Sequence, residues 1–375
     1  ALGYWEKLLG SNGDNNIKDN LAYAACAIHA GMAEKALEIC KEYLEELPAS
    51  GEGFLICGDA YQQLGDYEKA GEYYEKAITL SPELEEPWLK LVNFHSASAN
   101  LDKTFSILQT AVKAVPNSAK LNFALGCQLF QNGSASEAIP LFKKAAAVEP
   151  SNLEYVRTLA ESFQKTGQWH EAESIYADLS KKYPNDQSVL LDYAKSLIKI
   201  NKKNDALIPL QQLVDLNPVG TEAYLILGQL VVDDLTPDAD QVNPNDVETM
   251  ALLDYCRSIM QDAAAREPAD ARFMLLLAEI LAKMGEKEAA QKLFASLSEQ
   301  INTLPENLRW RVSYGLGITS GQMGEFEVAL AALQEAAQQN PQNIQIHQQL
   351  AEAFVKANLS QSALQAAQQA LAIDP

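Results

Sequence analysis

The polar and apolar positions of the chain form short helical segments that are separated by turn residues. In GDYEKAGEYYEKAITLSP, residues 65–82, apolar side chains recur at intervals of three and four, which is the spacing of one helix face. The preceding segment GFLICGDAYQQLG, residues 53–65, has the same spacing. Gly65 stands between the two segments and Pro82 follows the second one. The pattern therefore predicts two helices joined by a tight turn.

This pair of helices repeats with a period of 34 residues. A closing proline stands at positions 48, 82, 116, 150, 184 and 218. Seventeen residues before each proline lies a turn residue: Gly31, Gly65, Ala99, Gly133, Gly167 and Asn201. Five residues after each turn lies a small residue: Ala36, Ala70, Thr104, Ala138, Ala172 and Ala206. A fixed period of this length indicates a stack of repeat units.

Each of the three recurring residue types has a mechanical role. Glycine and asparagine accept the left-handed backbone conformation that ends a helix. Proline cannot continue a helix, so it closes the second one. The small residue lets two helices approach closely. Because neither helix can bury its apolar face alone, we expect the units to stack in series.

The repeated unit resembles the tetratricopeptide repeat (TPR) family. The first-helix pattern of that family is a large residue, then Leu-Gly, then an aromatic residue. It occurs in whole or in part at Trp88–Leu91, Leu125–Gly126–Leu129, Leu159–Ala160–Phe163, Tyr224–Leu227–Gly228 and Leu350–Ala351–Phe354. The resemblance covers about residues 17–375. It implies an all-α fold, a right-handed α-solenoid superhelix of helix–turn–helix repeats.

The later prolines predict ten repeats in all. The interval after Pro218 lengthens to 50 residues, and later closing prolines are Pro268, Pro305, Pro341 and Pro375. The later turn residues are Gly285, Gly324 and Asn358, and the small residues five positions on are Ala290, Ala329 and Ala363. We expect a lead-in with a short capping helix, six regular repeats, a seventh with an insertion, and three further repeats, with bounds 1–16, 17–220, 221–270 and 271–375. No polar terminal unit follows Pro375, so we expect that the natural protein continues or that this end meets another chain.

The insertion is an acidic segment, which we place at about residues 233–246. Seven acids and no base lie between Asp233 and Asp254. Asp246 or Asn245 is expected to cap the following helix. The segment is interpreted as a solvated loop, as a hook for a partner, or as a flap folded onto the binding groove. A calcium loop is a fourth interpretation, although the glycine turn and closing glutamate of an EF-hand are missing.

Composition argues against several classes of function. The formal net charge of −21 opposes binding to nucleic acid. No apolar run is long enough to span a membrane and no signal peptide begins the chain, so we expect a cytoplasmic protein. The five cysteines form no C-x-x-C pair, and the four histidines fall in four different repeats. With no catalytic motif present, we expect no enzyme activity, no cofactor and no metal.

The family resemblance implies that the first helix of each repeat lines a groove that binds peptides. The basic side chains at such positions are Arg157, Lys165, Lys195 and Lys199. They predict a site for an acidic segment or a C-terminal carboxylate. The alternative is that these cations pair with Glu161 and Asp192 on the same helices. Apolar candidates for the groove include Leu55, Leu89, Phe123, Phe130, Leu191, Ile198, Leu225 and Tyr314.

Taken together, the sequence predicts a scaffold that holds a protein or peptide segment in its groove. Two other functions stay open from the residues. In the first, the repeats are the recognition or regulatory arm of a larger enzyme. In the second, the chain self-assembles into homo-oligomers through uncapped ends.

Overall fold

The computed structural model of the chain describes residues 17–98, 100–216, 220–237 and 242–373. Within these ranges the chain forms twenty α-helices and no β-strand. The helices are α1 (Ile17–His29), α2 (Ala33–Glu46), α3 (Gly51–Gln63), α4 (Tyr67–Leu80), α5 (Glu85–Ala97), α6 (Leu101–Ala114), α7 (Ala119–Gln131), α8 (Ala135–Val148), α9 (Leu153–Lys165), α10 (Trp169–Lys182), α11 (Gln187–Lys199), α12 (Lys203–Asp215), α13 (Glu222–Leu230), α14 (Val247–Arg266), α15 (Ala271–Lys283), α16 (Lys287–Glu299), α17 (Glu306–Gln322), α18 (Phe326–Gln339), α19 (Ile344–Lys356) and α20 (Ser360–Ile373).

The helices are arranged as successive helix–turn–helix pairs. From α1 to α9 and from α11 to α20, each helix packs against the next one along the chain. First helices of neighbouring pairs also touch, as in α13 with α15 and α15 with α17. This is the stacking of an all-α solenoid, which confirms the predicted fold class. The division into ten repeats with the bounds given above stays an interpretation.

The turn inside eight of the helix pairs has a left-handed backbone conformation. Positive φ angles, between 59° and 85°, occur at Gly31, Gly65, Gly133, Gly167, Asn201, Gly285, Gly324 and Asn358. The predicted turn residue Ala99 lies outside the described residues. The left-handed conformation favours glycine and tolerates asparagine, which explains why these two residue types recur there.

The small residue after each turn is buried between helices. All nine are less than a tenth exposed: Ala36, Ala70, Thr104, Ala138, Ala172, Ala206, Ala290, Ala329 and Ala363. A second close approach lies within the helix pairs. A Cβ atom on Gly58 would lie 2.5 Å from the Tyr74 ring, and one on Gly126 would lie 2.6 Å from the Phe142 ring. Both glycines therefore make room for an aromatic ring of the second helix.

A polar side chain in several first helices binds the carbonyl of the preceding closing proline. The Trp88 Nε1–H group donates to the Pro82 oxygen at 2.9 Å. The residue in the same position of the last pair, His347, has Nε2 2.8 Å from the Pro341 oxygen. Because a carbonyl oxygen only accepts, this nitrogen of His347 carries the proton. These bonds satisfy carbonyls where the chain leaves one pair and enters the next.

The described residues fall into two compact units, one up to Ile175 and the other from Tyr176 onward. The core of the second unit is one continuous apolar cluster that includes Leu210, Leu227, Leu253, Phe273 and Val312. The first unit has several smaller clusters, such as the one around Leu108 and Leu121.

The insertion begins with ordered helical structure rather than with a loop. Residues Val231–Leu235 form a π-helical turn that continues α13, so the predicted loop of 233–246 starts later than expected. Thr236 ends this turn with a 2.7 Å bond from its hydroxyl to the Val231 oxygen. Asp246 is the N-cap of α14, as predicted, and its side chain accepts from the Thr249 amide. Asp238 and Asp240 of the insertion, the predicted helix at 2–9, and Pro218 and Pro375 lie outside the described residues.

Candidate binding surface in the second unit

First helices of successive pairs line an apolar pocket of about 400 Å³. Its walls come mainly from α11, α13 and α15, with single residues from α17 and the insertion. We call it the apolar pocket, and its leucine and isoleucine walls include Ile198, Leu225, Ile226, Leu230, Leu275 and Leu276. A concave, largely aliphatic surface of this size suits a side chain that leaves water on binding.

Charged side chains form the rim of the apolar pocket. Three cations, Lys195, Lys199 and Arg272, stand against one anion, Asp234. Lys195 pairs with Glu222 at 2.8 Å, and both side chains are at least a third exposed. Arg272 pairs with Asp270 at 2.6 Å. Among the charged residues that line the pocket itself, cations outnumber anions, and Glu222 and Asp270 at its edge pair with two of these cations.

A second cavity, of about 720 Å³, is lined largely by polar groups. Its walls come chiefly from α15, α17 and α19, together with the π-helical turn. We call it the polar pocket, and its side chains include Trp310, Arg311, Tyr314, Gln345, Gln348 and Gln349. The Trp310 and Tyr314 rings, one helical turn apart, have centroids 6.2 Å apart.

A buried charge network lies at the base of the polar pocket. The Arg311 guanidinium donates to both Glu279 oxygens, at 2.6 and 2.8 Å. It also donates to both Asp233 oxygens, at 2.7 and 3.1 Å. The Arg311 and Glu279 side chains are only 11% and 14% exposed. Burial raises the pKa of Glu279 to about 7, and the ion pair with Arg311 opposes that shift.

The start of the insertion separates the two pockets. We call residues 231–237 the stem. Val232 and Asp233 of the stem face the polar pocket, whereas Asp234 faces the apolar pocket. Lys203 pairs with Asp234 at 2.6 Å, and the buried Lys283 ammonium donates to the Thr236 carbonyl at 3.1 Å. The stem is therefore held to the wall by α12, α15 and α17.

The predicted basic residues are divided between the two units. Lys195 and Lys199 stand on the rim of one pocket in the second unit. Arg157 and Lys165 lie on α9 in the first unit. Arg157 pairs with Glu161 at 3.2 Å, in agreement with the alternative interpretation of that residue.

The predicted aromatic residues also occupy different places. Tyr314 lines the polar pocket. Phe123 and Phe130 belong to an aromatic cluster of the first unit. The Phe123 ring lies 4.5 Å from the Tyr155 ring and 5.6 Å from the Phe142 ring, measured between centroids. Phe130 packs on Phe142 at 6.1 Å.

Sequence reasoning missed the residues that hold the stem in place: Glu279, Lys283 and Arg311. One signal was available, because Glu279 and Lys283 lie in the otherwise apolar helix ARFMLLLAEILAK. Charged residues on an apolar helix face are rarely buried unless they are paired. The partners themselves lie 32–78 residues away along the chain and are not visible in the local pattern.

The described part of the chain has neither a helix suited to span a membrane nor a cluster of metal-ligand side chains. None of its helices has the length and apolar character needed to cross a membrane. Among the same residues, no group of three His, Cys, Asp or Glu side chains is arranged to hold a metal ion. Cys40, Cys57 and Cys256 are buried free thiols, while Cys26 and Cys127 are half-buried.

Sequence profiles described as tetratricopeptide repeat match residues 55–84, 129–190, 257–306 and 314–375, together just over half of the chain. The chain belongs to the tetratricopeptide repeat family. Membership supports the general role of a protein-interaction scaffold, because stacked repeats of this kind present extended binding surfaces.

Similar proteins come from distant organisms. Anaphase-promoting complex subunit 3 of Schizosaccharomyces pombe is 21% identical over 216 residues, which is 58% of this chain and 32% of that protein. The TPR repeat-containing protein YpiA of Bacillus subtilis is 22% identical over 222 residues, which is 59% of this chain and 52% of that protein. The alignments thus span about a third to a half of the length of these relatives. The crystal structure of the APC/C hetero-tetramer Cut9-Hcn1 matches with a TM-score of 0.46 and 13% identity, covering 100% of this chain and 90% of that one.

Proposed function

We propose that the chain is a non-catalytic scaffold that binds an acidic segment of a partner protein at the apolar pocket. The observation that supports this most directly is the coincidence of an aliphatic pocket with the cations Lys195, Lys199 and Arg272 on its rim. An apolar side chain of the segment would fill the pocket, and neighbouring carboxylates would meet the rim.

The aliphatic walls would supply most of the affinity. Burying one leucine-sized side chain stabilises a complex by about 1.5–3 kcal/mol. Binding energy in protein interfaces concentrates in a few such buried anchors rather than in total contact area. A single aliphatic or aromatic residue in the partner is therefore the expected anchor.

The rim would supply the preference for acidic segments. Lys195 and its partner Glu222 are both solvent-accessible, and exposed ion pairs of this kind contribute at most about 1 kcal/mol. A carboxylate of the partner can replace Glu222 at little cost. A C-terminal carboxylate offers the same chemistry as an aspartate or glutamate side chain, so an amidated peptide distinguishes these two sources.

The other predicted binding residues lie outside the apolar pocket. Arg157 and Lys165 on α9 would offer a separate basic surface on the first unit. Phe123 and Phe130 would add an aromatic surface there. Tyr314 belongs to the polar pocket.

The test is a comparison of charge-reversed chains. Partner proteins captured by the intact chain are compared with those captured by Lys195→Glu/Lys199→Glu. The matched control is Lys181→Glu/Lys182→Glu, which makes the same charge change at two exposed positions outside the pocket. We expect the pocket variant to lose its partners and the control to keep them. Equal capture by all three chains would show that the apolar pocket is not the binding site.

Self-association is a second candidate that one observation favours. Four apolar side chains are 47–63% exposed on and before the last helix: Val355, Leu359, Leu364 and Leu371. A second copy of the chain would cover them. Light scattering over a range of concentrations should then show a dimer that Leu364→Ser/Leu371→Ser abolishes, and a wild-type monomer at high concentration would dismiss this candidate.

A further inference from the structure

Two buried thiols of the first unit meet at the junction between the first and second helix pairs. Cys40 lies on α2 and Cys57 lies on α3, and neither side chain is exposed to solvent. With Ala24 of α1 they form one buried cluster. The thiol groups of Cys40 and Cys57 are hydrogen-bonded to each other. Two free cysteines therefore face each other across the boundary between two pairs.

The backbone of α3 places the Cys40 sulfur beside Cys57. The Cys40 Sγ–H group donates to the Gly53 carbonyl oxygen at 2.9 Å. In an α-helix the carbonyl of one residue accepts from the amide four residues later, which for Gly53 is the amide of Cys57. The Cys40 sulfur thus lies next to the main chain of the residue whose thiol it contacts.

Gly53 lets α2 and α3 cross closely at this point. A Cβ atom on Gly53 would lie 2.8 Å from the Leu44 side chain and 2.9 Å from the Tyr43 ring, both on α2. A disulfide joins residues whose Cα atoms are about 4.4–6.8 Å apart, so between two helices it needs a close crossing. The glycine at this crossing favours such an approach.

We propose that Cys40 and Cys57 form a reversible disulfide bond across this junction, with a small peroxide as the oxidant. One thiolate attacks a peroxide oxygen, the O–O bond breaks, and a sulfenic acid and one water form. The second thiolate attacks the sulfenic sulfur, so that the S–S bond forms, the S–O bond breaks and a second water leaves. The two thiols lose two electrons in total, and one peroxide is reduced to two waters.

The folded chain controls this reaction by hiding both thiols. The contact with Cys57 and burial raise the pKa of Cys40 well above its usual range, so the closed junction keeps Cys40 as an unreactive thiol. Oxidation therefore passes through a transient separation of α2 from α3. Once formed, the bond closes the loop of residues 40–57 and holds the two pairs together. The site lies in the first unit and is independent of the binding proposed at the apolar pocket.

The experiment treats the full chain with hydrogen peroxide, with and without urea below the unfolding transition. Free thiols are then blocked with N-ethylmaleimide, and the unreduced chain is digested and analysed by mass spectrometry. Four chains are compared: the wild type, Cys40→Ala, Cys57→Ala and the matched control Cys256→Ala. The control removes another fully buried cysteine, which lies in the core of the second unit.

We expect a peptide cross-link between Cys40 and Cys57 in the wild type and in Cys256→Ala, and no such cross-link in the other two variants. Dithiothreitol should remove it, and urea should make it form faster because the junction opens more often. In the oxidised wild type, the amide hydrogens of α2 should exchange at least about tenfold more slowly than in the reduced chain. Peroxide should leave this exchange unchanged in Cys40→Ala.

The half-buried cysteines Cys26 and Cys127 provide the internal reference for the reaction. The inference is overturned if Cys40 and Cys57 stay reduced, with and without urea, after these two have been oxidised. Cross-links that join Cys40 or Cys57 mainly to another cysteine would also overturn it, as would a disulfide that leaves the exchange of α2 unchanged.

Discussion

Arg311 and Asp233 are separated by 78 residues, yet the Arg311 guanidinium bonds to both oxygens of the Asp233 carboxylate. The same guanidinium is bound by Glu279 of the neighbouring helix. This relationship holds the beginning of an acidic insertion against the first helices of the stack. It makes the stem a shared wall of two pockets rather than part of a free loop.

Removal of the Asp233 carboxylate should loosen the stem. In Asp233→Ala we expect amide hydrogens of residues 231–236 to exchange roughly tenfold faster, because one charge-assisted contact contributes on the order of 1–2 kcal/mol to local closure. Hydrogen exchange followed by mass spectrometry measures this directly. The control is Asp254→Ala, which also removes an aspartate bound to an arginine, Arg257, but on the exposed side of α14. Unchanged exchange in the stem would mean that Lys283 and Lys203 hold it without Arg311.

Glu279 should make the stability of the second unit depend on pH. Burial raises its pKa from 4.5 to about 7, so the folded chain binds this proton more tightly than the unfolded chain. The resulting stabilisation is fully present below about pH 4.5 and is lost as the pH rises through about 7. We therefore expect the unfolding free energy of the wild type, relative to Glu279→Gln, to fall by up to about 3 kcal/mol between pH 4.5 and pH 8. Urea unfolding at a series of pH values tests this, and a difference that grows with pH would contradict it.

Gly58 should not tolerate a methyl group, whereas Gly71 should. A Cβ atom on Gly58 would meet the Tyr74 ring at 2.5 Å. That ring is fixed, because its hydroxyl lies 2.8 Å from an Asp59 oxygen. At Gly71 the nearest atom, in Phe94, lies at an ordinary 3.4 Å. We expect Gly58→Ala to destabilise the first unit by about 1–3 kcal/mol and Gly71→Ala to stabilise it by about 0.5–1 kcal/mol. Thermal unfolding of both variants tests this prediction. Equal shifts in melting temperature would show that the Tyr74 ring moves away from the methyl group added at position 58.

Asn122 should be sensitive to a nearly isosteric change. Its buried Nδ2 group donates to the Pro116 carbonyl at 2.9 Å and to the Ser118 carbonyl at 2.7 Å. In Asn122→Asp a carboxylate would face two carbonyl oxygens, with an expected cost of about 3 kcal/mol at neutral pH. The exposed Asn132→Asp is the matched control and should change stability by about 0.5 kcal/mol or less. Chemical denaturation of the two variants provides the comparison. Similar denaturation midpoints would show that the two hydrogen bonds of Asn122 contribute little to stability.

The parts of the fold that sequence predicted well are local. The left-handed turns at Gly133 and Asn201 follow from residue type and a fixed interval. The cap at Asp246 follows from a short polar side chain before a helix. Lys195 and Lys199 share one rim because residues four apart lie on the same helix face. Each of these inferences needs only a few neighbouring residues.

The parts that sequence did not predict depend on how the helices stack. The pairing of Arg311 with Asp233 requires knowledge of three helices and the stem at once. The π-helical turn at Val231–Leu235 has no simple composition signal, and it shortened the predicted loop. Tyr67 has the spacing of a core position, but it is the first residue of α4 and is 58% exposed.

The turn glycines stand in open space, since a Cβ atom placed on Gly31, Gly65, Gly133, Gly285 or Gly324 would meet nothing within 4 Å. The insertion of residues 231–246 occupies the same joint of its own helix pair, between the first helix and the second. Each joint is thus a point where extra sequence can be spliced in while the packed faces stay as they are. A chain of this design can gain recognition elements one joint at a time, and it offers protein engineers the same places for grafting loops.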